Sequence, residues 1–208
     1  MLPKADADKI FTTDLKSKLH IGFPLVRTYS YTDKSGKYYM VLTEKYDGNK
    51  NADTIHKAIK AYNFKATGAT LEKQWEINDA AENTSNDNDG ETSIWFWTKF
   101  CSFRDIDKDG LVDPIIVYGT PGSNSTDDGR VKILLHHKGN KIVIRHKNGV
   151  LDDERHTQVD AAFYSLPVII QNEVTKLMKE IVEIGYAIFP NGWEKNMKNH
   201  KLRFDESK

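Results

Sequence analysis

Residues 25–45 read LVRTYSYTDKSGKYYMVLTEK, two runs of β-branched and aromatic side chains separated by a short polar stretch. Such runs are typical of strands, and Gly36 can take the positive φ that closes a tight hairpin. The stretch therefore predicts two antiparallel strands, residues 25–31 and 38–45, with a turn at residues 33–36. An antiparallel sheet is accordingly the starting point for the rest of the chain.

Six further segments have the composition or the alternation of strands. They are residues 59–66, 71–77, 94–103, 115–118, 131–137 and 141–145. Residues 94–103 have bulky side chains at consecutive positions, which predicts a central strand covered on both faces and places Cys101 in the interior. Residues 55–62 also fit a helical face, so one helical turn ahead of residue 59 is left open. Residues 118–129 are polar and contain glycine, and we expect a loop there.

The hydrophobic period changes after Pro167. Apolar residues then recur at steps of three and four, as on one face of a helix: Ile170, Val174, Leu177, Ile181 and Ile184. Pro167 suits the first turn of this helix, and Gly185 suits its C-terminal cap. The sequence thus predicts an α+β fold, an antiparallel β-meander sheet of about eight strands with a long C-terminal helix packed on it.

The remaining parts of the chain add a helix and a tail. Apolar residues at Ile10, Phe11, Leu15 and Leu19 predict a helix near the first residues. The polar stretch 191–208 is expected to lie over the surface. Neither an internal repeat nor a linker rich in Pro, Gly or Ser interrupts the sequence, so a single domain over residues 1–208 is predicted.

The balance of charges argues against two classes of partner, nucleic acids and anionic membranes. Thirty Lys and Arg balance thirty Asp and Glu in 208 residues, so the formal net charge is zero. Proteins that bind nucleic acids or anionic membranes generally carry a marked basic excess. No apolar run is long enough to span a bilayer. We therefore expect no nucleic-acid partner and no transmembrane segment. One cysteine, Cys101, excludes an intrachain disulfide framework.

The clearest chemical pattern lies in residues 105–113, which read DIDKDGLVD. Calcium takes about six to eight oxygen ligands, and carboxylates at alternate positions of a tight loop converge on one point. The pattern predicts a calcium site in which Gly110 makes the sharp turn, and its ligands are Asp105, Asp107, Asp109, the carbonyl of Leu111, and Asp113. An EF-hand is excluded because Ile116 stands where that motif requires Glu.

The alternative for this loop is an acidic turn without metal. Four like charges relieved by Arg104 and Lys108 alone would repel one another, and a divalent cation removes that repulsion. The metal site is therefore favoured, with Ca²⁺ as the cofactor.

The loop resembles the calcium loops of FG-GAP and integrin-type proteins, which carry D-x-D-x-D-G-x-x-D between two strands. The likeness covers residues 103–118 and implies that Asp113, at the ninth position, closes the coordination. Those families repeat the loop once per propeller blade, so the single copy here carries over the metal site and not the propeller. The strand at residues 71–79 followed by this loop also resembles bacterial exported proteins named for surface-polysaccharide biosynthesis, and no catalytic motif comes with that likeness.

Three weaker patterns accompany the loop. Residues 86–91 read NDNDGE, half of a second such loop, and a flexible polar loop is favoured there over a second cation. His136 and His137 are adjacent on a strand and point to opposite faces. Partly exposed histidines are favoured over a metal site in which one of them meets His146. Bases and histidines gather between residues 130 and 155, which indicates a basic hairpin beside the acidic loop.

The sequence favours binding over catalysis. It has no G-x-S-x-G elbow, no H-E-x-x-H and no Gly-rich phosphate loop, and Cys101 lies in a run too apolar for an activated thiolate. The aromatic residues 95–97 suit a sugar- or partner-binding platform if exposed, but core packing is favoured. We therefore expect a protein without catalytic activity.

The expected function follows from the loop and from this absence. The favoured reading is a calcium-stabilised, exported binding protein with a protein partner, such as an immunity or inhibitor protein that neutralises a secreted bacterial toxin. The first alternative is an enzyme or accessory factor acting on cell-envelope polysaccharide, and the second is a structural module of a surface assembly.

The expected location is periplasmic or extracellular. Calcium is available there at the concentrations that weaker sites need. The first residues, MLPKADAD, lack the apolar core of a signal peptide, and a Met directly before a polar segment fits an exported chain whose signal segment has been removed.

Overall fold

The computed structural model describes residues 1–50, 53–82, 90–122 and 124–206. Internal contacts divide the chain into two compact units, Met1–Ala81 and Glu82–Lys208. The single domain over residues 1–208 stays a prediction. Among the helices of the described ranges, none has the length and apolar character needed to cross a membrane.

The first unit is a four-stranded antiparallel meander with two short helices. Its elements are α1 (Lys4–Ile10), α2 (Thr13–Lys18), β1 (Leu25–Asp33), β2 (Gly36–Lys50), β3 (Asp53–Thr67) and β4 (Thr70–Ala80). The hairpin predicted around Gly36 is confirmed, since Asp33 pairs with Gly36 at its end and the glycine has a φ of 142°. No helical turn precedes residue 59, because His56 of β3 already pairs with Tyr46 of β2.

Aromatic side chains form the core of the first unit. The buried cluster consists of Phe11, Ile21, Tyr39, Val41, Tyr62 and Phe64. Phe11 lies between the two helices and meets the ring of Tyr39 edge-on at 5.9 Å. The hydroxyl of the next residue, Thr12, accepts a hydrogen bond from the N–H of Leu15 and caps α2. The single helix predicted for this segment is therefore two helices, with the break where Phe11 enters the core.

The second unit contains a seven-stranded antiparallel sheet in the order β11-β10-β9-β8-β7-β5, with β6 also paired to β7. Its strands are β5 (Trp95–Phe96), β6 (Ser102–Arg104), β7 (Asp113–Gly122), β8 (Ser125–His137), β9 (Asn140–Lys147), β10 (His156–Val159) and β11 (Arg203–Asp205). Its α-helices are α3 (Val168–Glu183) and α4 (Trp193–Lys198). The antiparallel sheet with helices is as predicted, but the strands form two sheets and not one meander of about eight.

The aromatic run at residues 94–103 is not the central strand that the sequence predicts. A 3-10 turn at Thr98–Phe100 separates β5 from β6, and both strands pair with β7. In a continuous strand, residues three apart point to opposite faces. The turn instead brings Trp97 and Phe100 into the same core cluster. Core packing of this run is confirmed for Phe96 and Trp97, which are 4% and 3% exposed.

The buried interior strand beside this run is β7. It lies between β8 on one side and β5 and β6 on the other, and all of its residues except Pro121 are buried. The loop predicted for residues 118–129 is wrong, because Gly122 pairs with Ser125 and continues the hairpin of β7 with β8. Burial on both faces explains why β7 reads as a continuous apolar run without alternation.

Cys101 lies beside β7 and is half-buried rather than fully interior. Its thiol is 3.8 Å from the carbonyl oxygens of Trp97 and Val117. Burial raises the pKa of the Cys101 thiol to about 12. A thiol with such a pKa stays protonated at neutral pH and is a poor nucleophile.

Helix α3 packs its predicted apolar face on the sheet except for Ile184, which is the C-cap residue and is exposed. Ile170, Val174, Leu177, Met178 and Ile181 are its buried residues. Pro167 occupies the N-cap position, and Gly185 follows the C-cap residue with a φ of 76°. The helix has 16 residues and is of ordinary rather than great length. Residues 191–206 do not simply lie over the surface as expected, because Met197 of α4 and Phe204 of β11 belong to the same core cluster.

A buried polar network ties the segment after α3 to the sheet. His146 Nε2 is 2.6 Å from Asn148 Oδ1, and His146 Nδ1 is 2.9 Å from the hydroxyl of Thr157. The Asn148 oxygen also accepts from the N–H of Ile188, while its Nδ2 donates to the carbonyl of Tyr186. Because the Asn148 oxygen can only accept, the proton of the neutral imidazole lies on Nε2. Burial lowers the pKa of His146 to about 4.

Protonation of His146 is expected to destabilise the fold as the pH falls. The unfolded chain binds this proton below its ordinary pKa of 6.5, whereas the folded chain binds it only near pH 4. The contribution to the free energy of unfolding is therefore complete above pH 6.5 and falls by about 3 kcal/mol as the pH drops through this interval. Urea unfolding measured across the interval gives the loss.

The matched variants are His146→Gln and His200→Gln. The first removes one of two buried histidines with a lowered pKa and should reduce this part of the pH dependence, with His136 accounting for the part that is left, while the second changes an exposed histidine and should leave the dependence unchanged. An identical pH dependence in all three proteins would contradict the assignment.

Gly129 lies close against the backbone of Thr120 and Pro121, with no room for a side chain. A Cβ at this position would lie 1.7 Å from the carbonyl oxygen of Thr120 and 3.1 Å from the Cα of Pro121. We expect Gly129→Ala to lower the free energy of unfolding by about 2 kcal/mol or more, because backbone atoms must shift. Gly22→Ala is the control, since no heavy atom lies within 4 Å of its Cβ. Equal stability of the two variants in urea would refute the expectation.

Candidate functional site

The acidic loop joins two paired strands of the second sheet, β6 and β7. It leaves β6 after Arg104 and enters β7 at Asp113, and these two residues face each other in register. Lys108 and Gly110 have φ values of 61° and 89°, which wind the chain tightly between the strands. Since both ends are fixed by strand pairing, the loop is held in one place.

The structure brings three of the predicted metal ligands together. Carboxylate oxygens of Asp105, Asp107 and Asp109 lie within 4.8 Å of one another, and all three residues are half-buried. This acidic triad contains oxygen donors alone, which suits a hard cation such as Ca²⁺ and disfavours soft transition metals. The predicted part of Leu111, a carbonyl ligand, stays a prediction.

Backbone N–H groups orient the triad. Asp105 accepts from the N–H of Asp109 at 3.1 Å and from that of Gly110 at 2.8 Å. Asp107 accepts from Asp109 at 3.3 Å, and Asp109 accepts from Leu111 at 2.8 Å. A carboxylate has about four lone-pair directions, so each of these groups keeps acceptor capacity for a cation. The side chains are thus positioned by the loop itself.

Asp113 lies outside the triad and has another role. Its side chain is buried, and its two oxygens have separate partners: Oδ2 accepts from the N–H of Ile106 at 2.9 Å, and Oδ1 is 2.7 Å from His137 Nδ1. The carboxylate therefore ties the loop to β8. Sequence reasoning missed His137 as this partner, although its place at the end of the β8–β9 hairpin put it near the start of β7.

Lys138 already supplies one positive charge at the edge of the triad. Its ammonium group is 2.9 Å from Asp109 Oδ2, and its side chain is about half exposed. The hydrogen bond to Asp109, together with the charges of Asp109, Asp107 and Asp113, raises the pKa of Lys138. The sequence credits only Arg104 and Lys108 with relieving the acidic charge, because the hairpin that delivers Lys138 is distant in sequence.

The histidines do not form a second metal site among the described residues. His136, His137 and His146 are all buried, contrary to the expectation of partly exposed side chains. In register, His136 and His137 face Lys141 and Asn140, whereas His146 faces Val131. The contact between a residue of the first pair and His146 therefore does not occur. Burial lowers the pKa of His136 to about 4.

The half-loop at residues 86–91 falls mostly outside the described residues. Glu91, its last residue, forms an ion pair with Arg130, in which Nη2 and Oε2 are 3.0 Å apart, and it also accepts from the N–H of Glu82 at 2.7 Å. The sequence gives no sign of this pairing, because Arg130 is 39 residues away along the chain.

Comparison of the chain with models of protein families, with curated proteins and with solved structures finds no match. The likeness to FG-GAP and integrin-type loops is thus a local one, within residues 103–118. Three carboxylates converge between β6 and β7, and a fourth, that of Asp113, fastens the loop to the sheet.

Proposed function

We propose that this protein is a calcium-stabilised, exported binding protein whose partner is another protein, without catalytic activity of its own. The convergence of the acidic triad is the observation that supports the calcium site. Asp105, Asp107 and Asp109 would hold the ion, and the carbonyl of Leu111 would complete the set from this loop. The ion would serve as a structural staple between β6 and β7.

The position of Asp113 fits this proposal in a modified form. In the FG-GAP pattern the ninth residue is a ligand, but here its oxygens bind Ile106 and His137. Asp113 would then hold the loop in place, and the acidic triad would bind the ion. Water would supply the remaining oxygens, as is common for calcium at protein surfaces.

Calcium should raise the thermal midpoint of unfolding. An ion that binds the folded chain alone adds about 2.7 kcal/mol when its concentration is roughly a hundredfold above Kd. For a chain of this size that corresponds to a rise of several degrees. Differential scanning calorimetry in millimolar CaCl₂ and after EDTA treatment measures the shift.

Two pairs of variants test the site itself. Asp107→Asn should abolish the calcium response, whereas Asp153→Asn, an exposed acid outside the loop, should retain it. Lys138→Gln should bind calcium about fivefold more tightly because it removes a competing charge, and Lys141→Gln should change it little. A midpoint that ignores both calcium and EDTA would eliminate the site.

A protein partner is supported by the distribution of charge. The acidic triad and the bases of β8 and β9 are separate regions of opposite sign in a chain of zero net charge. Complementary charge steers and orients protein association more than it sets affinity. A partner with a basic surface, as in a toxin held by its immunity protein, would find a matching region at the acidic triad.

The partner hypothesis is tested by neutralisation. The chain, targeted to the periplasm, should protect cells from a secreted toxin produced by an adjacent gene, and the purified pair should form a complex of fixed stoichiometry in which toxin activity is blocked. Calcium removal should weaken this protection if the loop takes part in binding. Failure to bind or block such a toxin would remove the immunity assignment.

The alternative, an enzyme or accessory factor for cell-envelope polysaccharide, makes a different prediction. Release or modification of sugars from an isolated envelope glycan by the purified chain would support it and would exclude a purely binding role. The same assay on Asp107→Asn separates a catalytic from a structural contribution of the loop, because a staple affects stability before it affects turnover.

A further inference from the structure

One face of the second sheet concentrates positive charge away from the acidic loop. Side chains alternate along β8, so Val131 and Ile133 enter the core with α3 while Arg130 and Lys132 point to the opposite face. Their cross-strand neighbours continue this surface, which we call the basic face. It consists of Arg130, Lys132, Arg145, Lys147, His156 and Gln158.

Like charges stand directly opposite each other on the basic face. Arg130 pairs in register with Lys147, and Lys132 pairs with Arg145. Directly opposed like charges destabilise an antiparallel pair. Two such pairs side by side break a local rule of sheet design, and departures of this kind concentrate at functional sites.

Carboxylates neutralise the arginines of these pairs. Glu91 binds Arg130, and Asp160 lies 2.6 Å from Arg145 Nη1. Each cross-strand pair also has a lysine. Lys147 is exposed, and the ammonium of Lys132 lies 5.9 Å from the centre of the Tyr118 ring.

The basic face forms one wall of a cleft. The cleft has a volume of about 260 Å³, and all six residues of the basic face line it. Acids also line it. Glu91 is paired with Arg130 and accepts from the N–H of Glu82, and Asp128 Oδ2 accepts from two donors of Asn124 at 2.9 and 3.0 Å, while Asp128 Oδ1 is buried without a hydrogen bond from the described residues. Glu82 lies exposed at the margin.

We propose that this cleft binds a small molecule bearing a phosphate or a carboxylate group. The two lysine ammonium groups, the Arg145 N–H groups that do not bind Asp160 and the His156 imidazole would then surround one anion, which supplies to the lysines the counter-charge that Glu91 and Asp160 supply to the arginines. The volume is suited to a small ligand, and a concave wall suits such a ligand better than the broad contact of a protein partner. The proposal does not depend on calcium binding.

The test uses the full chain in calcium-free buffer at constant ionic strength. Sodium phosphate and sodium succinate are titrated separately while ¹H–¹⁵N amide spectra are recorded. We expect saturable shifts at amides of β8, β9 and β10 with at least one of the two anions, and the one that binds identifies the group that the cleft recognises.

Matched variants separate a site from a general salt effect. Lys132→Gln with Lys147→Gln should weaken binding about tenfold or more, because two charged donors are lost. Lys198→Gln removes the same kind of charge from α4 and should bind as the wild type does. Folding of the double variant is checked by its spectrum, and Lys147→Gln alone provides a second measurement that should also weaken binding.

The results divide cleanly. Shifts confined to the three strands and lost in the lysine variants support the proposal. Shifts spread over the surface, or equal affinity in all variants, overturn it. Binding of an acidic peptide with no response to either small anion would also overturn it and would assign the basic face to a protein contact. Because calcium is absent throughout, none of these outcomes depends on the acidic loop.

Discussion

The buried carboxylate of Asp113 connects the parts of the second unit that matter most for the site. It is the first residue of β7, a strand buried on both faces, and its oxygens bind both the acidic loop and β8. Burying a carboxylate costs several kcal/mol unless donors replace its water. Ile106 and His137 supply these donors. The loop therefore cannot move relative to the sheet without exposing an unsatisfied acid, and the triad inherits its position from this anchor.

Much of the fold could be predicted from local patterns. The hairpin around Gly36 depends on turn residues between β-branched runs, and the helix after Pro167 depends on its apolar period. These signals are contained in short windows of sequence. The number of sheets, in contrast, depends on which strands pair over long distances. The turn after Trp97 could not be predicted, because a run of bulky residues looks the same in sequence whether or not the strand is interrupted.

The candidate site divides along the same line. Asp105, Asp107 and Asp109 could be placed together because loop spacing alone makes them converge. The partners of Asp113 and Asp109, namely His137 and Lys138, come from a hairpin more than twenty residues away and could not be read from the motif. The burial of His137 and His146 differs from the prediction for a similar reason: polar residues are usually exposed, but hydrogen-bond partners brought by other segments of the chain allow their burial.

The last strand of the sheet has a consequence for the solubility of the chain. β11 has only three residues, Arg203, Phe204 and Asp205, and in the described chain it forms one edge of the seven-stranded sheet. Its phenylalanine is turned into the core, and the charged residues flank it on the other side. Short, charged edge strands discourage pairing with the sheet of a second molecule. Residues 203–205 thus cover the edge of β10, whose backbone N–H and C=O groups could otherwise pair with a strand of another chain.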